Sequence, residues 1–350
     1  MVGLGRDLLQ WYTIHKRELP WRETKDPYAI WLSEIILQQT RIEQGLSYYL
    51  RFMEKYPSVI DLARAGEDEI LKLWQGLGYY SRARNLLAAA RTVADVFHGS
   101  FPGNYDELIR LKGIGEYTAA AIASISFNQP HAVVDGNVFR VLSRIYGINT
   151  PVNTPSGKKT FTQLANAIMD TENPGEYNQA VMEFGALCCI PRNPGCNSCL
   201  FAARCEAFQK GLIHKLPVKA GKQKIRSRYF NYLLIRDHDC TYLNRRTGND
   251  IWKNLYEFPL IETEEKTEAN QLERDLTGML GHEPVEISKI TGWQKQILSH
   301  QCIYYRFIYV RGSDKKYGLQ HWMKVNKKDI FTFAVPKPIE KELHRLDWTS

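Results

Sequence analysis

The hydrophobic repeat of the chain changes once, and that change demands two folding units of different kinds. Up to about residue 210 apolar side chains recur with helical spacing, as in Asp7–Tyr12 and Glu69–Trp74, and Gly or Pro punctuates the runs. This texture predicts roughly ten short helices. Beyond it come β-rich runs, Tyr229–Ile235 and Cys302–Val310, with helical stretches near 268–280 and 337–346. Between the two textures, from Lys210 to Arg228, lie Lys210, Lys215, Lys219, Lys222, Lys224, Arg226 and Arg228 with no acidic residue among them. The expected organisation is multidomain: an all-helical domain over 1–210, a basic linker over 211–228, which is either a polyanion contact or plain solvated chain, and an α+β domain over 229–350. A chain of 350 residues fits two such domains at ~100–200 residues each.

Composition narrows the class of function. Apolar residues make up 44% and charged residues 24%, which excludes collagen-like, low-complexity and wholly disordered chains. The longest uncharged stretch, Tyr117 to Val134, is interrupted by Asn128, Gln129, Pro130 and His131, so its apolar part falls short of the ~20 residues a bilayer requires. The first residues lack the apolar core of a signal peptide, and a cytoplasmic, reducing compartment is expected. A net charge of +8 favours polyanionic partners without proving one.

Five of the seven cysteines fall between 188 and 205. Four are spaced Cys189-x6-Cys196-x2-Cys199-x5-Cys205, with Pro191, Pro194 and Gly195 bending the loop. Thiols this dense in a reducing compartment point to metal rather than disulfides. Structural zinc usually pairs two short knuckles, and only one is present; the unequal gaps suit the corners of a [4Fe-4S] cube better, with zinc the alternative. Cys188, Cys240 and Cys302 read as core residues.

Two further segments carry chemistry. Leu111–Ala119 sets Gly113 and Gly115 between a helix ending near Leu111 and a small-residue helix beginning near Glu116; such a turn offers backbone N–H groups to phosphate, and a plain interhelical turn looks the same. Asp135, in Val133–Val138, is either a helix N-cap or an anion poised beside a bound sugar. Glu34 stands in an otherwise apolar or neutral helix, so it is either ion-paired, to Arg22 or Arg41, or held at a raised pKa. Two carboxylates around a sugar are the general plan for breaking a glycosidic bond. Gln38, Gln39 and Thr40, with Gly76–Arg84, supply amides, aromatics and cations suited to opening a base stack.

At these residues the chain resembles the endonuclease III superfamily of helix-hairpin-helix DNA glycosylases, and within it the MutY-type adenine-DNA glycosylases. The carriers are Leu19-Pro20-Trp21-Arg22, Trp31–Glu34 with Gln38–Thr40, Gly76–Tyr80, the hairpin at 111–119, Val134–Asn137 and the four-cysteine spacing. The resemblance implies a helical glycosylase domain with a [4Fe-4S] loop and a C-terminal Nudix-like α/β domain. It implies a monomer that acts on duplex DNA carrying adenine opposite 8-oxoguanine or guanine, flips the adenine out and hydrolyses its N-glycosidic bond on a bacterial-type chromosome. Glu34 is then the general acid toward adenine N7, Asp135 the stabiliser of the sugar cation and Asn137 its polar neighbour. Tyr117 takes the place of the Schiff-base lysine of bifunctional relatives, so base release without efficient strand cleavage is expected. Lys112 stands where many relatives have proline. Leu19, Trp21 and Arg22 are assigned to the adenine pocket, core packing being the alternative for Leu19 and Trp21. Gln39, Thr40 and Tyr79, with Gly113 and Gly115, are assigned to DNA and the opposite 8-oxoguanine, as are Ser299 and His300 of the C-terminal domain. Cys189, Cys196, Cys199 and Cys205 are the expected cluster ligands. Leu298 departs from the aromatic residue that commonly precedes the Ser-His pair. The stretch 251–283 lacks the clustered acidic ligands of Nudix hydrolases, so pyrophosphatase activity is not expected. The rival readings are an endonuclease III-like enzyme cutting at oxidised pyrimidines and a non-catalytic iron–sulfur DNA sensor.

Overall fold

The computed structural model describes residues 4–221, 225–280, 286–312 and 319–346. Lys222 and Lys224 of the basic tract, and 281–283 of the Nudix-like stretch, lie outside the described residues. The chain forms two units: residues 1–65 with 85–221, and 66–84 with 222–350.

The first unit is helical, as the periodicity predicts. Its α-helices are α1 (Leu4–His15), α2 (Pro27–Leu37), α3 (Ile42–Lys55) and α4 (Val59–Arg64). After α5 (Glu67–Trp74), which belongs to the second unit, and α6 (Ser81–Val96), whose first turn does, come α7 (Tyr105–Leu108), α8 (Glu116–Phe127), α9 (Gly136–Ile145), α10 (Pro155–Ala167), α11 (Pro174–Leu187) and α12 (Glu206–Gln209). The helix expected to reach Leu111 is a single turn, α7, started by Asn104, whose side chain accepts from the Glu107 N–H. The helix starts are written in the sequence: Asp26, Asp135 and Thr154 each accept a hydrogen bond from the first turn they precede, and Pro27, Pro155 and Pro174 occupy first-turn positions where no N–H is needed. α2 and α8 bury nearly their whole circumference, so they form the centre of the unit.

The second unit is α+β. Strands β1 (Arg226–Arg236), β4 (Leu260–Thr263), β5 (Glu286–Ile290), β6 (Gln294–Ile297) and β7 (Gln301–Arg311) form a sheet of order β4-β1-β7-β5, with β6 also on β7. β1 and β7 run parallel in register, Tyr229 beside Tyr304, and the other pairings are antiparallel. A smaller antiparallel sheet is β3 (Tyr256–Glu257), β2 (Cys240–Arg245) and β8 (Met323–Asn326). Because β1 and β7 are buried on both faces, one side packs on α13 (Ala269–Leu280) through Leu233, Ile235, Leu272 and Leu276, and the other on α14 (Lys337–Arg345) through Phe230, Phe307, Ile339 and Leu343. The segment 66–84 joins this unit by named bonds: Asp68 with Arg245 and Tyr256, Gln75 with Glu340 and the Val335 N–H, and Lys72 with the Phe333 carbonyl. None of these partners is near in sequence, and so hydrophobic period alone does not show the excursion. No described helix is long and apolar enough to cross a membrane.

Candidate active site

Glu34 is the only carboxylate in α2, whose neighbours Tyr28 to Ser33, Ile35 and Ile36 are buried. Burial pushes its carboxyl up to about 7; the Tyr117 hydroxyl bonded to it lowers the pKa, the Asp135 charge raises it further, and Arg22 lowers it. Of the two readings the sequence leaves open, Arg22 does not ion-pair Glu34. Its guanidinium makes a bidentate pair with Glu183 of α11, at 2.7 and 2.9 Å, and Arg17 joins the same carboxylate at 2.6 Å. The two arginines hold Glu183 down at about 2 despite its burial. Glu34 is thus left with a hydroxyl partner and its proton near neutrality. The Tyr117 hydroxyl also lies 3.2 Å from Met182 Sδ.

Asp135 arrives on a pinned extended segment: the Ala132 N–H donates to Asn166 Oδ1 and the Val133 N–H to Asn178 Oδ1, both at 3.0 Å. Asp135 then caps α9. Its Oδ1 accepts from the Asn137 and Val138 N–H groups and its Oδ2 from Asn137 Nδ2, all at 2.8 Å. The N-cap reading is therefore correct, and it does not exclude the other, because the same carboxylate lines a cavity with Glu34. Burial pushes Asp135 upward in pKa, and the three N–H donors and Arg140 oppose it. Asn137 is oriented in turn: its Oδ1 accepts from Arg140 at 2.8 Å, and Arg140 also bonds the Gly185 and Cys189 carbonyls at 2.6 Å. Gly185 is required by this contact, since a Cβ there would stand 2.7 Å from Asn137 Cβ. Arg140, Gly185 and Glu183 are the members of the site that sequence reasoning missed. For Arg140, three residues from Asn137 on one helix face, spacing was an available signal.

The cavity has a volume of about 1190 Å³ and is lined by Glu34, Tyr117 and Asp135 together with Gln39, Gly113 and Gly115. Gly113 sits at φ +79°, and a Cβ would meet Asn85 Cβ at 2.6 Å, so both backbone angle and space demand glycine. Gly115 precedes α8 and leaves that helix's first N–H groups open. Gln39 reaches the cavity from a left-handed position, φ +56°.

The remaining residues singled out from sequence fall elsewhere. Leu19 and Trp21 are buried, Trp21 edge-on to Tyr49, and neither they nor Arg22 line the cavity. Thr40 follows Gln39 in the turn after α2 and is half-buried. In the second unit, Tyr79 is exposed at φ +49°, its ring over the Arg82 guanidinium, and its hydroxyl hydrogen-bonds Ser299. Ser299 and the exposed His300 occupy the tip of the β6–β7 hairpin, closed by the Leu298 N–H donating to the Gln301 carbonyl at 2.8 Å. Leu298 packs on the sheet core and Ile297 stands exposed.

Cys189, Cys196, Cys199 and Cys205 line one cavity walled by Ile145, Phe184, Phe201 and Phe208. N–H donors already approach two of these sulfurs: Arg144 to Cys189 and the Phe201 backbone to Cys199, each at 3.4 Å. Among the described residues no group of three or more His, Cys, Asp or Glu side chains is placed to hold a metal ion. An apolar cavity lined by these four thiols and by Cys188, with N–H groups aimed at two of the sulfurs, fits a cubane cluster held by four of them. Of the three cysteines read as core, Cys302 is buried, whereas Cys188 and Cys240 are only half-buried: Cys188 lines this cavity and Cys240 is the first residue of β2.

Comparison with known proteins agrees with this arrangement. Residues 32–168 match the HhH-GPD superfamily of base excision DNA repair proteins, and residues 231–345 match a NUDIX domain. An adenine DNA glycosylase of Buchnera aphidicola subsp. Schizaphis graminum is 34% identical, over 96% of this chain and 96% of its own length. One from Rattus norvegicus is 43% identical over 62% of this chain and 44% of its own. Among solved structures, a thermostable thymine-DNA glycosylase is 31% identical with a TM-score of 0.55, covering 59% of this chain and 95% of that one. With its carboxylate pair, glycine hairpin and cysteine loop, the chain belongs to the adenine DNA glycosylases of the HhH-GPD superfamily.

Proposed function

We propose that this base-excision-repair glycosylase, a monofunctional hydrolase of N-glycosyl bonds, removes adenine from duplexes in which it stands opposite 8-oxoguanine or guanine. One observation carries the reading: Glu34, at a pKa of about 7, and Asp135, whose carboxylate accepts from three N–H donors that oppose the upward push of burial, line the same cavity. Near neutral pH the Glu34 carboxyl is about half protonated, which suits a general acid. It gives its proton to adenine N7 as the bond to C1′ breaks, Asp135 faces the positive charge that develops on the sugar, and water adds to C1′, losing a proton to leave the abasic sugar. Proton transfer supplies about 3–5 kcal/mol of the ~8–23 an enzyme provides, so the anion and the positioning of an extruded base supply the rest. Tyr117 holds Glu34 by its hydroxyl and offers no amine to the sugar, so the product is an intact abasic strand.

The helical domain expected over 1–210 serves as the catalytic domain except for 66–84, which fold with the reader of 8-oxoguanine expected over 229–350; of the linker expected over 211–228, the last three residues already belong to β1. Tyr79 and Ser299, joined by their hydroxyls in one unit, and the exposed His300 present aromatic and polar groups to the opposite base. Cys189, Cys196, Cys199 and Cys205 would hold a [4Fe-4S] cluster, which would cross-link the loop and supply a redox couple. Arg140 ties that loop to Asn137 through the Cys189 carbonyl.

The test is incubation of the protein with duplexes carrying adenine opposite 8-oxoguanine, followed or not by alkali. Cleavage at the adenine that requires alkali supports the reading. Cleavage without alkali at oxidised pyrimidines would favour the bifunctional alternative, and tight binding without base release would favour a sensor.

A further inference from the structure

The cavity that holds Glu34 and Asp135 is larger than one nucleoside requires. Its volume of about 1190 Å³ exceeds the ~300–1,000 Å³ of small-molecule sites. Part of its wall is α10, to which neither the sequence reading nor the chemistry above gives a role. The cavity-facing residues of α10 fall at 155, 158, 159, 162, 163 and 166, the spacing of a single helical face. That face carries Lys158 and Lys159, both exposed, and otherwise only uncharged side chains; the thirteen residues of α10 contain no carboxylate. Neither lysine has an ion-pair partner among the described residues.

The position of the lysines is fixed from both ends of the helix. Asn166 accepts the Ala132 N–H at 3.0 Å, three residues before Asp135, while its Nδ2 donates to the Thr162 carbonyl at 2.9 Å. At the other end Gly157 lies so close to Pro151 that a Cβ would come 2.0 Å from the Pro151 carbonyl oxygen. From Asn166 back to Lys159 is seven residues, roughly 10 Å at 1.5 Å per residue.

We propose that Lys158 and Lys159, which line the cavity of Glu34 and Asp135, bind backbone phosphates of the adenine-bearing strand beside the extruded nucleoside. The ligand is a DNA phosphodiester, taken without reading sequence, because an ammonium is a point charge that grips phosphate and carries no base code. The proposal rests on the glycosylase reading for the identity of the strand. It adds a second anchor to the glycine hairpin, which lines the same cavity.

The test uses the full chain in a Glu34→Gln background, so that a duplex with adenine opposite 8-oxoguanine stays uncut, and compares it with Lys158→Ala/Lys159→Ala added. Affinity is measured over a series of salt concentrations. The plot of log affinity against log salt is expected to become shallower by about 1.8, at 0.9 per phosphate lost, and Lys158→Arg/Lys159→Arg is expected to restore it. Methylphosphonates placed next to the adenine on its own strand are expected to weaken the parent and leave the double alanine variant indifferent. An unchanged slope with an unchanged melting temperature, or sensitivity to methylphosphonates on the opposite strand alone, would overturn the proposal. Failure of the parent to prefer the mispaired duplex would strike at the glycosylase reading instead, since the slope difference on any duplex still reports the lysines.

Discussion

Replacing Glu34 by Gln should make the helical unit more stable at alkaline pH while destroying its chemistry. The carboxyl pKa is pushed from 4.5 to about 7 by burial, chiefly, with Asp135 adding to it. Between those values the folded chain holds a proton that the unfolded chain has lost, so wild-type stability falls as pH rises from about 4.5 to 7 and stays low above. A shift of roughly 2.5 units at 1.36 kcal/mol each sets a ceiling of about 3 kcal/mol. Glutamine keeps the shape and can still accept from the Tyr117 hydroxyl, but its amide hydrogens lack a built partner, which costs about 1 kcal/mol. The net gain is about 2 kcal/mol at pH 8 and nothing, or a slight loss, at pH 4.5. For a unit of this size that is a rise of about 4–8 °C in melting temperature. Thermal melts followed by circular dichroism at both pH values, on cluster-loaded protein, measure it. A difference between the two proteins that is the same at both pH values would refute the assignment of a neutral, buried carboxyl to Glu34.

Three further outcomes are expected. Gly185→Ala drives a methyl group toward Asn137 Cβ at 2.7 Å, so it should destabilise the unit by about 1–3 kcal/mol and slow base release by loosening the Asn137–Asp135 bond; single-turnover kinetics alongside melting checks both. Tyr117→Lys places an amine beside the sugar, and borohydride should then trap a protein–DNA adduct that the parent does not form; absence of the adduct would place Tyr117 away from the reacting carbon. Ser299→Ala with His300→Ala should erode the preference for 8-oxoguanine over guanine opposite adenine, read as a ratio of affinities, and an unchanged ratio would put recognition elsewhere.

What the sequence made legible was local. Helix starts at Asp26, Asp135 and Thr154, the change to strands after the basic tract, and the cysteine loop all depend on neighbours a few residues apart. The isolation of Glu34 in an apolar helix was visible, but its partner was not. Arg22 looked available to it, and is instead claimed by Glu183, 161 residues away and bound also by Arg17. Non-local pairing likewise hides the attachment of 66–84 to the C-terminal unit, which runs through Asp68, Lys72 and Gln75 to residues more than 170 positions on. Local reading also offered a choice at Asp135 that the fold does not make: one oxygen caps α9 through backbone N–H groups while the other takes the Asn137 amide, so a single carboxylate ends a segment and faces the cavity.

The account turns on who holds the proton when the glycosidic bond breaks. The direct measurement is the single-turnover rate of adenine release against pH, for the parent and for Glu34→Gln. The parent rate should fall about tenfold per unit above pH ~7 as Glu34 ionises, and fall again on the acid side as Asp135 gains a proton. The variant should be slower by at least ~10²-fold. A parent rate that stays level well above neutrality, or a variant that releases adenine as fast as the parent, would contradict it.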